Sequence, residues 1–186
     1  RPYFRTVTSP EMFARQIELL RARGYAAITL SEALGLLEAG DGGPLHSAPK
    51  VVITFDDGFR DFYTEAFPIL AQAGFTASVF LPSAFIGMRF ITGRECLSAS
   101  DVRALADKGI EFGSHAVSHR RLVDLSRDEL GTELRDSKAT IEDVTGRAVT
   151  TCRAERRRKA RRTFAHRNAG LKAHQILDVL DELILN

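Results

Sequence analysis

The sequence predicts an α/β fold built on parallel strands. Short apolar runs alternate with segments of helical apolar spacing before Gly146, which is the pattern of repeated strand–helix units. Residues 51–55 (VVITF) form a run rich in β-branched side chains, as expected for a strand buried in a parallel sheet. The chain has 186 residues, of which 44% are hydrophobic, so it is long enough to bury one core.

The first two helices are predicted from their starting residues. Ser9 stands directly before Pro10, so Ser9 is the expected N-cap and Pro10 the first helical residue. Gly24 is expected to end this helix. Ser31 is the expected N-cap of a second helix, which is predicted to end before Gly40.

Two later helices carry a capping box, in which an acidic residue follows the capping serine by three positions. Ser98 stands in this relation to Asp101, and Ser126 to Glu129. The remaining boundaries follow from apolar runs and the glycines that interrupt them. The elements predicted in this way are strands over residues 26–30, 51–55, 75–81 and 110–113, and helices over residues 64–73, 101–108 and 126–144.

The character of the chain changes after Gly146. Residues 151–167 hold eight Lys or Arg residues and one acid, whereas the rest of the chain is mildly acidic. Residues 171–184 then have the apolar spacing of one amphipathic helix. We therefore divide the chain into a main domain, residues 1–150, and a basic segment with a C-terminal helix, residues 151–186.

Three interpretations of the basic run stay open. Its lack of periodicity agrees best with a solvated, partly disordered segment. A binding site for nucleic acid or another acidic polymer is less favoured, so nucleic acid is not an expected partner. The third interpretation is a reading-frame slip in the gene, which an intact frame in close relatives with the same tail would rule out.

Four side chains are candidates for a catalytic site. Asp56 and Asp57 directly follow the strand predicted over residues 51–55. His115 and His119 follow a later predicted strand. The carboxyl ends of parallel strands gather at one edge of the sheet, and residues four apart on a helical turn face the same way. We therefore expect these carboxylates and imidazoles to meet.

Each pair alone has a simpler interpretation. Asp-Asp-Gly is a common turn, and two histidines after a strand are often surface or capping residues. Together the pairs favour a metal site, because an Asp oxygen and two imidazole nitrogens are ligands that suit zinc. Zinc acidifies a water molecule and polarises a carbonyl group. With the second carboxylate as general base, the expected reaction is hydrolysis of an amide or an ester.

The two motifs resemble those of the polysaccharide deacetylases, the family of the NodB homology domain (carbohydrate esterase family 4). The motifs are TFDDG at residues 54–58 and HAVSH at residues 115–119. Their surroundings are similar as well, over VVITFDDGFRDFYTEAF, GFTASVFLPSAF and GIEFGSHAVS. The resemblance spans roughly residues 8–150, and the combination of both motifs is specific.

The resemblance implies a distorted, incomplete (β/α) barrel with fewer than eight strands. It also implies metal-dependent removal of N-acetyl or O-acetyl groups from a polysaccharide, so an acetylated polysaccharide or oligosaccharide is the expected partner. By position, Asp56 resembles the family's general base. The residues that resemble its metal ligands are Asp57, His115 and His119, with zinc as the expected ion.

Later family motifs are altered in this chain. Arg153 stands where the family has an arginine that orients the base, but Ala154 follows it instead of a Pro-Tyr pair. His174 is the one candidate for the family's general acid. Ala116 replaces the Ser or Thr that usually follows the first histidine, which removes a hydroxyl that steadies this loop. The alternative function is therefore a non-catalytic, metal-binding deacetylase-like domain.

Compartment and redox state are less well defined by the sequence. It contains no apolar stretch long enough to span a bilayer, and no cleavable signal peptide is visible. The substrate class favours the cell envelope. Cys96 and Cys152 do not form a disulfide framework, and we interpret both as apolar filler or surface thiols.

Overall fold

Parallel strand pairing defines the architecture. The computed structural model describes residues 7–39, 48–153, 176–178 and 184–185. Every pairing between two strands of these residues is parallel. The predicted α/β class is therefore confirmed, and the short, separate sheets agree with an incomplete barrel.

Helices alternate with strands along most of the described chain. The strands are β1 (Val7–Thr8), β2 (Ala26–Ile28), β3 (Lys50–Val52), β4 (Thr54–Phe55), β5 (Ser78–Leu81), β6 (Glu111–Ser114), β7 (Ile176–Asp178) and β8 (Ile184–Leu185). The α-helices are α1 (Pro10–Ala22), α2 (Leu30–Glu38), α3 (Phe67–Ala73), α4 (Ala99–Asp107) and α5 (Arg127–Thr145). A π-helical turn, Phe62–Ala66, leads directly into α3.

The strand predicted over residues 51–55 is two short strands in two different sheets. β3 lies between β2 and β7, whereas β4 pairs with β5. The ladder breaks at Ile53, which is buried and whose carbonyl accepts a hydrogen bond from the N–H of Ser78 at 2.9 Å. This run therefore joins the two sheets, and its carboxyl end opens beside β5.

The sheet β4–β5–β6 carries the site. β5 and β6 pair over four residues, from Ser78 opposite Glu111 to Leu81 opposite Ser114. On the other side of β6, its last residue, Ser114, forms a parallel bridge with Cys152. The chain after α5 thus returns to the open edge of β6, so that Arg153 lies at the same end of the sheet as the residues after β4.

Most of the predicted helix caps are confirmed. Ser9 accepts a hydrogen bond from the N–H of Met12, and both predicted capping boxes are present at the starts of α4 and α5. The prediction that Ser31 caps α2 is wrong. Thr29 is the N-cap, in a capping box with Glu32.

Ser31 has a different role from the one predicted. Its hydroxyl donates to the carboxylate of Glu111, which also receives the hydroxyl of Ser78 and the N–H of Leu30. A carboxylate at a helix N-terminus satisfies N–H groups that have no partner inside the helix. Glu111 therefore attaches the start of α2 to the amino ends of β5 and β6.

The tight packing at Gly113 on β6 leads to a first prediction. A Cβ atom built on Gly113 would lie 2.6 Å from Phe80 Cε1 and 2.6 Å from Thr151 Oγ1. Both neighbours are buried, so neither can move aside cheaply. We expect Gly113→Ala to lower the free energy of unfolding by about 1–3 kcal/mol in urea denaturation.

Gly35, inside α2 with no atom within 4 Å of its Cβ position, is the control for this prediction. Gly35→Ala is expected to be neutral or stabilising, and an equal loss in both variants would contradict the prediction.

The C-terminal part of the chain differs from its prediction. The amphipathic helix predicted over residues 171–184 is wrong where the structure describes this segment, because β7 and β8 lie there. β7 pairs with β3 and β8 pairs with β1, both in parallel. The division of the chain at residue 150 stays a prediction. In the described part of the chain, no helix is long and apolar enough to cross a membrane.

Candidate metal centre

Three potential metal ligands converge beyond the carboxyl ends of β4 and β6. Oδ1 of Asp57 lies 3.1 Å from Nε2 of His119 and 3.7 Å from Nε2 of His115. One ligand atom from each residue lies within 4.8 Å of the other two. The predicted ligands Asp57, His115 and His119 are therefore brought together, and their role as ligands stays a prediction.

The two histidines meet through a loop, not through the helical turn that the sequence predicted. Ala116 and His119 both have left-handed backbone conformations, with φ of 65° and 57°. The two imidazole rings are nearly perpendicular, with an interplanar angle of 80° and centroids 4.7 Å apart. The prediction of a helical turn is wrong, since spacing alone cannot report backbone angles that tertiary contacts impose.

The two aspartates occupy a tight turn, and the turn itself shapes the site. Asp57 has φ of 67° and Gly58 has φ of 59°. Aspartate tolerates this left-handed conformation better than most residues. The simpler interpretation of Asp-Asp-Gly as a turn is thus correct for the backbone, and the same turn directs Asp57 toward the histidines.

Arg153 contacts both the candidate base, Asp56, and one candidate ligand, His115. Its Nε lies 2.7 Å from Oδ2 of Asp56, in a largely buried ion pair. Its carbonyl oxygen lies 2.9 Å from Nδ1 of His115. The main chain of Arg153 is held in turn by a 2.8 Å hydrogen bond from its N–H to the carbonyl of Ser114. The placement predicted for Arg153 beside the candidate base is therefore observed, while its role stays a prediction.

The contact with Arg153 defines the tautomer of His115. A carbonyl oxygen only accepts hydrogen bonds, so Nδ1 of His115 carries the proton and donates it. In the neutral ring, Nε2 then presents its lone pair toward Asp57. A second hydrogen-bonded group of this kind is the usual support of a metal-binding histidine.

The donor atoms fit a divalent cation. Oδ1 of Asp57 is buried and receives no hydrogen bond from any residue that the structure describes. It lies 3.1 Å from Nε2 of His119 and 3.7 Å from Nε2 of His115, so the three candidate ligand atoms surround one small space. One carboxylate oxygen and two imidazole nitrogens match the ligand preference of zinc.

Several residues at the site were not found from the sequence. The ring of Phe90 lies edge-on against His119, with centroids 5.1 Å apart, and packs with Phe59 and Phe85. Glu133 of α5 holds the loop between the histidines. Neither residue belongs to a local motif, so only the tertiary fold brings them to the site. His174, the predicted general acid, lies outside the described residues.

The two cysteines differ in environment, which leads to a second prediction. Burial and the charge of Asp57 raise the pKa of Cys96 to about 11, and its side chain packs with Phe59 and Phe90. Cys152 is exposed to solvent as a residue, while partial desolvation of its thiol by neighbouring atoms raises its pKa as well. We expect iodoacetamide at mildly alkaline pH to label Cys152 first, because only an accessible thiolate reacts.

Mass spectrometry after short exposures would measure the labelling order. In denaturant both thiols should react at similar rates, which is the internal control. Faster labelling of Cys96 in the folded protein would show that the apolar cluster around it is open.

Comparison with known proteins identifies the family. The sequence model of the polysaccharide deacetylases matches residues 45–174, more than half of the chain. The chain belongs to the polysaccharide deacetylase family. This confirms the resemblance inferred from the TFDDG and HAVSH motifs. The matched region extends past residue 150 and includes Arg153, although the altered residues after it weaken the similarity of that motif.

Relatives and solved structures agree with this assignment. YxkH of Bacillus subtilis, a protein named for the same family, is 31% identical over 132 residues, which are 71% of this chain and 44% of YxkH. The poly-β-1,6-N-acetyl-D-glucosamine N-deacetylase of Escherichia coli is 35% identical over 102 residues, which are 55% of this chain and 12% of that enzyme. The chain thus spans less than half the length of these relatives.

Two solved structures show the same fold. The deacetylase PplD of Streptococcus pyogenes, in complex with acetate, superposes with a TM-score of 0.69 at 25% identity, covering 77% of this chain and 61% of PplD. IcaB from Ammonifex degensii superposes with a TM-score of 0.66 at 22% identity, covering 76% of this chain and 64% of IcaB. The deacetylase-type, partial-barrel fold predicted from the sequence is therefore confirmed.

Proposed function

We propose that this chain is a metal-dependent hydrolase that removes acetyl groups from the amino sugars of a polysaccharide. The observation that carries the proposal is the convergence of Asp57, His115 and His119 beside a second carboxylate, Asp56, which is paired with Arg153. Membership of the polysaccharide deacetylase family supports the same reaction class. Fold alone would not, since one fold hosts many reactions.

The metal ligands in this proposal are Asp57, His115 and His119, and zinc is the ion we expect. A divalent cation at such a site supplies a Lewis acid for the carbonyl oxygen of the acetyl group and acidifies water. The protein's own contribution is to orient the ligands. Arg153 fixes the ring of His115 through its carbonyl oxygen, and the left-handed turn at Asp57 directs that carboxylate inward.

Asp56 is the general base in this proposal. It accepts the proton of the attacking water while the new carbon–oxygen bond forms at the acetyl carbonyl. The guanidinium group of Arg153 holds Oδ2 of Asp56 at 2.7 Å, and this charge-assisted hydrogen bond fixes the orientation of the carboxylate. A base held in this way keeps its orientation throughout the reaction.

The reaction ends when the carbon–nitrogen bond breaks. The amine of the sugar leaves with a proton, and acetate is the other product. We keep His174 as the proposed donor of that proton, as the sequence predicted. An ester substrate would need the same residues, with an alcohol in place of the amine as the leaving group.

The relatives support a substrate class for this proposal. One relative is named for its action on poly-β-1,6-N-acetyl-D-glucosamine, and it is 35% identical over 102 residues of this chain. We therefore propose an N-acetylated glucosamine polymer as the first substrate to test. The cell envelope is the compartment that we propose, because a polysaccharide substrate favours it.

Acetate release from defined oligosaccharides would test the function. The substrates are β-1,6-linked and β-1,4-linked N-acetylglucosamine oligomers and an O-acetylated oligosaccharide. The full chain would be assayed as purified, after chelation, and after zinc is returned. We expect release that chelation abolishes and zinc restores.

Two negative results would lead to different conclusions. Zinc binding without acetate release from any of the three substrates would favour the non-catalytic, metal-binding alternative. Release that chelation leaves unchanged would contradict the metal-dependent mechanism itself.

A further inference from the structure

The loop that carries the two histidines rests on one helix. α5 presents Glu133, Ser137 and Ile141 at intervals of four residues, so these side chains share one face. Ile141 and Ser137 are fully buried, and the hydroxyl of Ser137 accepts a 2.8 Å hydrogen bond from Ser114 on β6. Glu133 lies on this face one turn before Ser137, next to the loop of residues 115–119.

Glu133 holds the loop by its main chain. Its Oε2 accepts hydrogen bonds from the N–H of Val117 at 2.7 Å and the N–H of Ser118 at 2.9 Å. Its Oε1 accepts the hydroxyl of Ser118. Three donors from two successive residues are thus bound to one carboxylate, and these residues lie between His115 and His119.

The loop needs such support because its backbone is strained. Ala116 and His119 have positive φ, a conformation that costs free energy for residues with a side chain. Val117 and Ser118 lie between these two positions, so hydrogen bonds to their N–H groups hold the backbone of this loop in place. Without an external acceptor, a relaxed loop would no longer bring both imidazoles toward Asp57.

We propose that Glu133 is a positioning residue of the metal centre, which holds the loop of residues 115–119 in the conformation that lets His115 and His119 bind one cation. The inference rests on the proposed metal centre and adds a residue to it. Glu133 acts through the main chain of Val117 and Ser118 and through the hydroxyl of Ser118, which lie between the two histidines.

This role also explains how the chain tolerates Ala116. The sequence predicted that losing a hydroxyl at this position would leave the loop less steady. Ser118 supplies a hydroxyl two residues later, bound to Glu133, and the N–H of Ala116 donates to Ser114 Oγ at 3.2 Å. The hydroxyl that stabilises this loop is therefore at residue 118 instead of residue 116.

The carboxylate is well suited to this role at neutral pH. Burial raises the pKa of Glu133, but hydrogen bonds from Ser118 and from the N–H groups of Val117 and Ser118, with the charge of Arg120, lower it more. The pKa therefore lies below the ordinary value of a glutamate. An ionised carboxylate accepts all three hydrogen bonds with a full negative charge. The neutral amide of a glutamine would accept the two N–H groups more weakly, and its NH2 group would face the Ser118 hydroxyl, which would have to accept instead of donate.

The test compares Glu133→Gln with a matched variant, Glu142→Gln. Glu142 also lies on α5 and also accepts a loop N–H, that of Val149 at 2.9 Å, but this loop is not the one that carries the histidines. The zinc dissociation constant would be measured by competition with a chromophoric chelator. The visible spectrum of the cobalt form would report ligand geometry, and thermal unfolding of the metal-free protein would report stability.

We expect Glu133→Gln to bind zinc about 10- to 100-fold more weakly, with an altered cobalt spectrum. Glu142→Gln should keep the wild-type zinc affinity and spectrum, even where both variants lose similar thermal stability. Ser118→Ala keeps both N–H hydrogen bonds to Glu133, so its loss of affinity should be smaller. It provides a second measurement if Glu133→Gln folds poorly.

Other outcomes would overturn the proposal. Wild-type zinc affinity and an unchanged cobalt spectrum in Glu133→Gln would remove Glu133 from the metal centre, and so would an equal loss of affinity in Glu142→Gln. A wild-type protein that binds neither zinc nor cobalt would overturn the proposed function together with this inference. Weakened binding in Glu133→Gln without acetate release by the wild type would sustain the inference and refute the activity.

Discussion

The His119→Ala variant is expected to purify without its metal. His119 supplies one of three ligand atoms, and Asp57 and His115 alone leave a cation with too few protein ligands. Changes to residues that merely support a ligand cost about 10- to 100-fold in affinity, so removing a ligand should cost more. Elemental analysis is expected to give about one zinc per wild-type chain and essentially none in the variant.

A nearby acid provides the control for this experiment. Asp124 lies five residues after His119, and its exposed ion pair with Arg121 contributes little to stability. Asp124→Ala should therefore retain the wild-type metal content. Full metal content in His119→Ala would place the cation elsewhere and contradict the proposed ligand set.

The Asp56→Asn variant is expected to keep its metal and lose turnover. An amide has nearly the shape of the carboxylate but does not take a proton, so the loss should fall on kcat by a factor of about 10²–10⁴. Asp56 is not one of the three converging ligands, so metal content should stay near that of the wild type. Acetate release and elemental analysis on the same preparation would measure both quantities.

Glu95→Gln is the matched control for Asp56→Asn. Glu95 also pairs with arginines, Arg60 and Arg89, but at the exposed surface, where such pairs contribute little. Its acetate release should equal that of the wild type. Loss of metal together with activity in Asp56→Asn would instead make Asp56 a ligand, and unchanged activity would exclude it as the base.

Local signals in the sequence predicted much of the fold correctly. Ser9, Ser98 and Ser126 cap the helices that follow them, because capping depends on residues only three positions away. Ser31 was mistaken for a cap because a serine near a helix start satisfies the same local rule as Thr29. Its actual partner, Glu111, is eighty residues distant.

The C-terminal error has a different cause. A short apolar pattern fits a helix or a buried strand, and residues 171–184 were assigned to a helix on spacing alone. In the structure, β7 and β8 are strands instead, and their partners β3 and β1 lie far earlier in the chain. Parallel pairing at such distances leaves no local trace in a single sequence.

The convergence of the three candidate ligands was predictable from the sequence, but the backbone geometry that produces it was not. Asp57, His115 and His119 were named from residue type and from their position after strands, and the fold brings them together. The left-handed backbone at His119 and the support from Glu133 depend on contacts across the fold. Motif spacing carries no information about either.

The double contact of Arg153 has an evolutionary consequence. Its side chain serves Asp56, whereas its carbonyl oxygen serves His115, and a codon change alters only the side chain. In the proposed mechanism, a single missense mutation at this position would therefore remove the partner of the base and leave the backbone support of His115 in place. A proposed deacetylase and a proposed non-catalytic, metal-binding domain would then differ by one side chain.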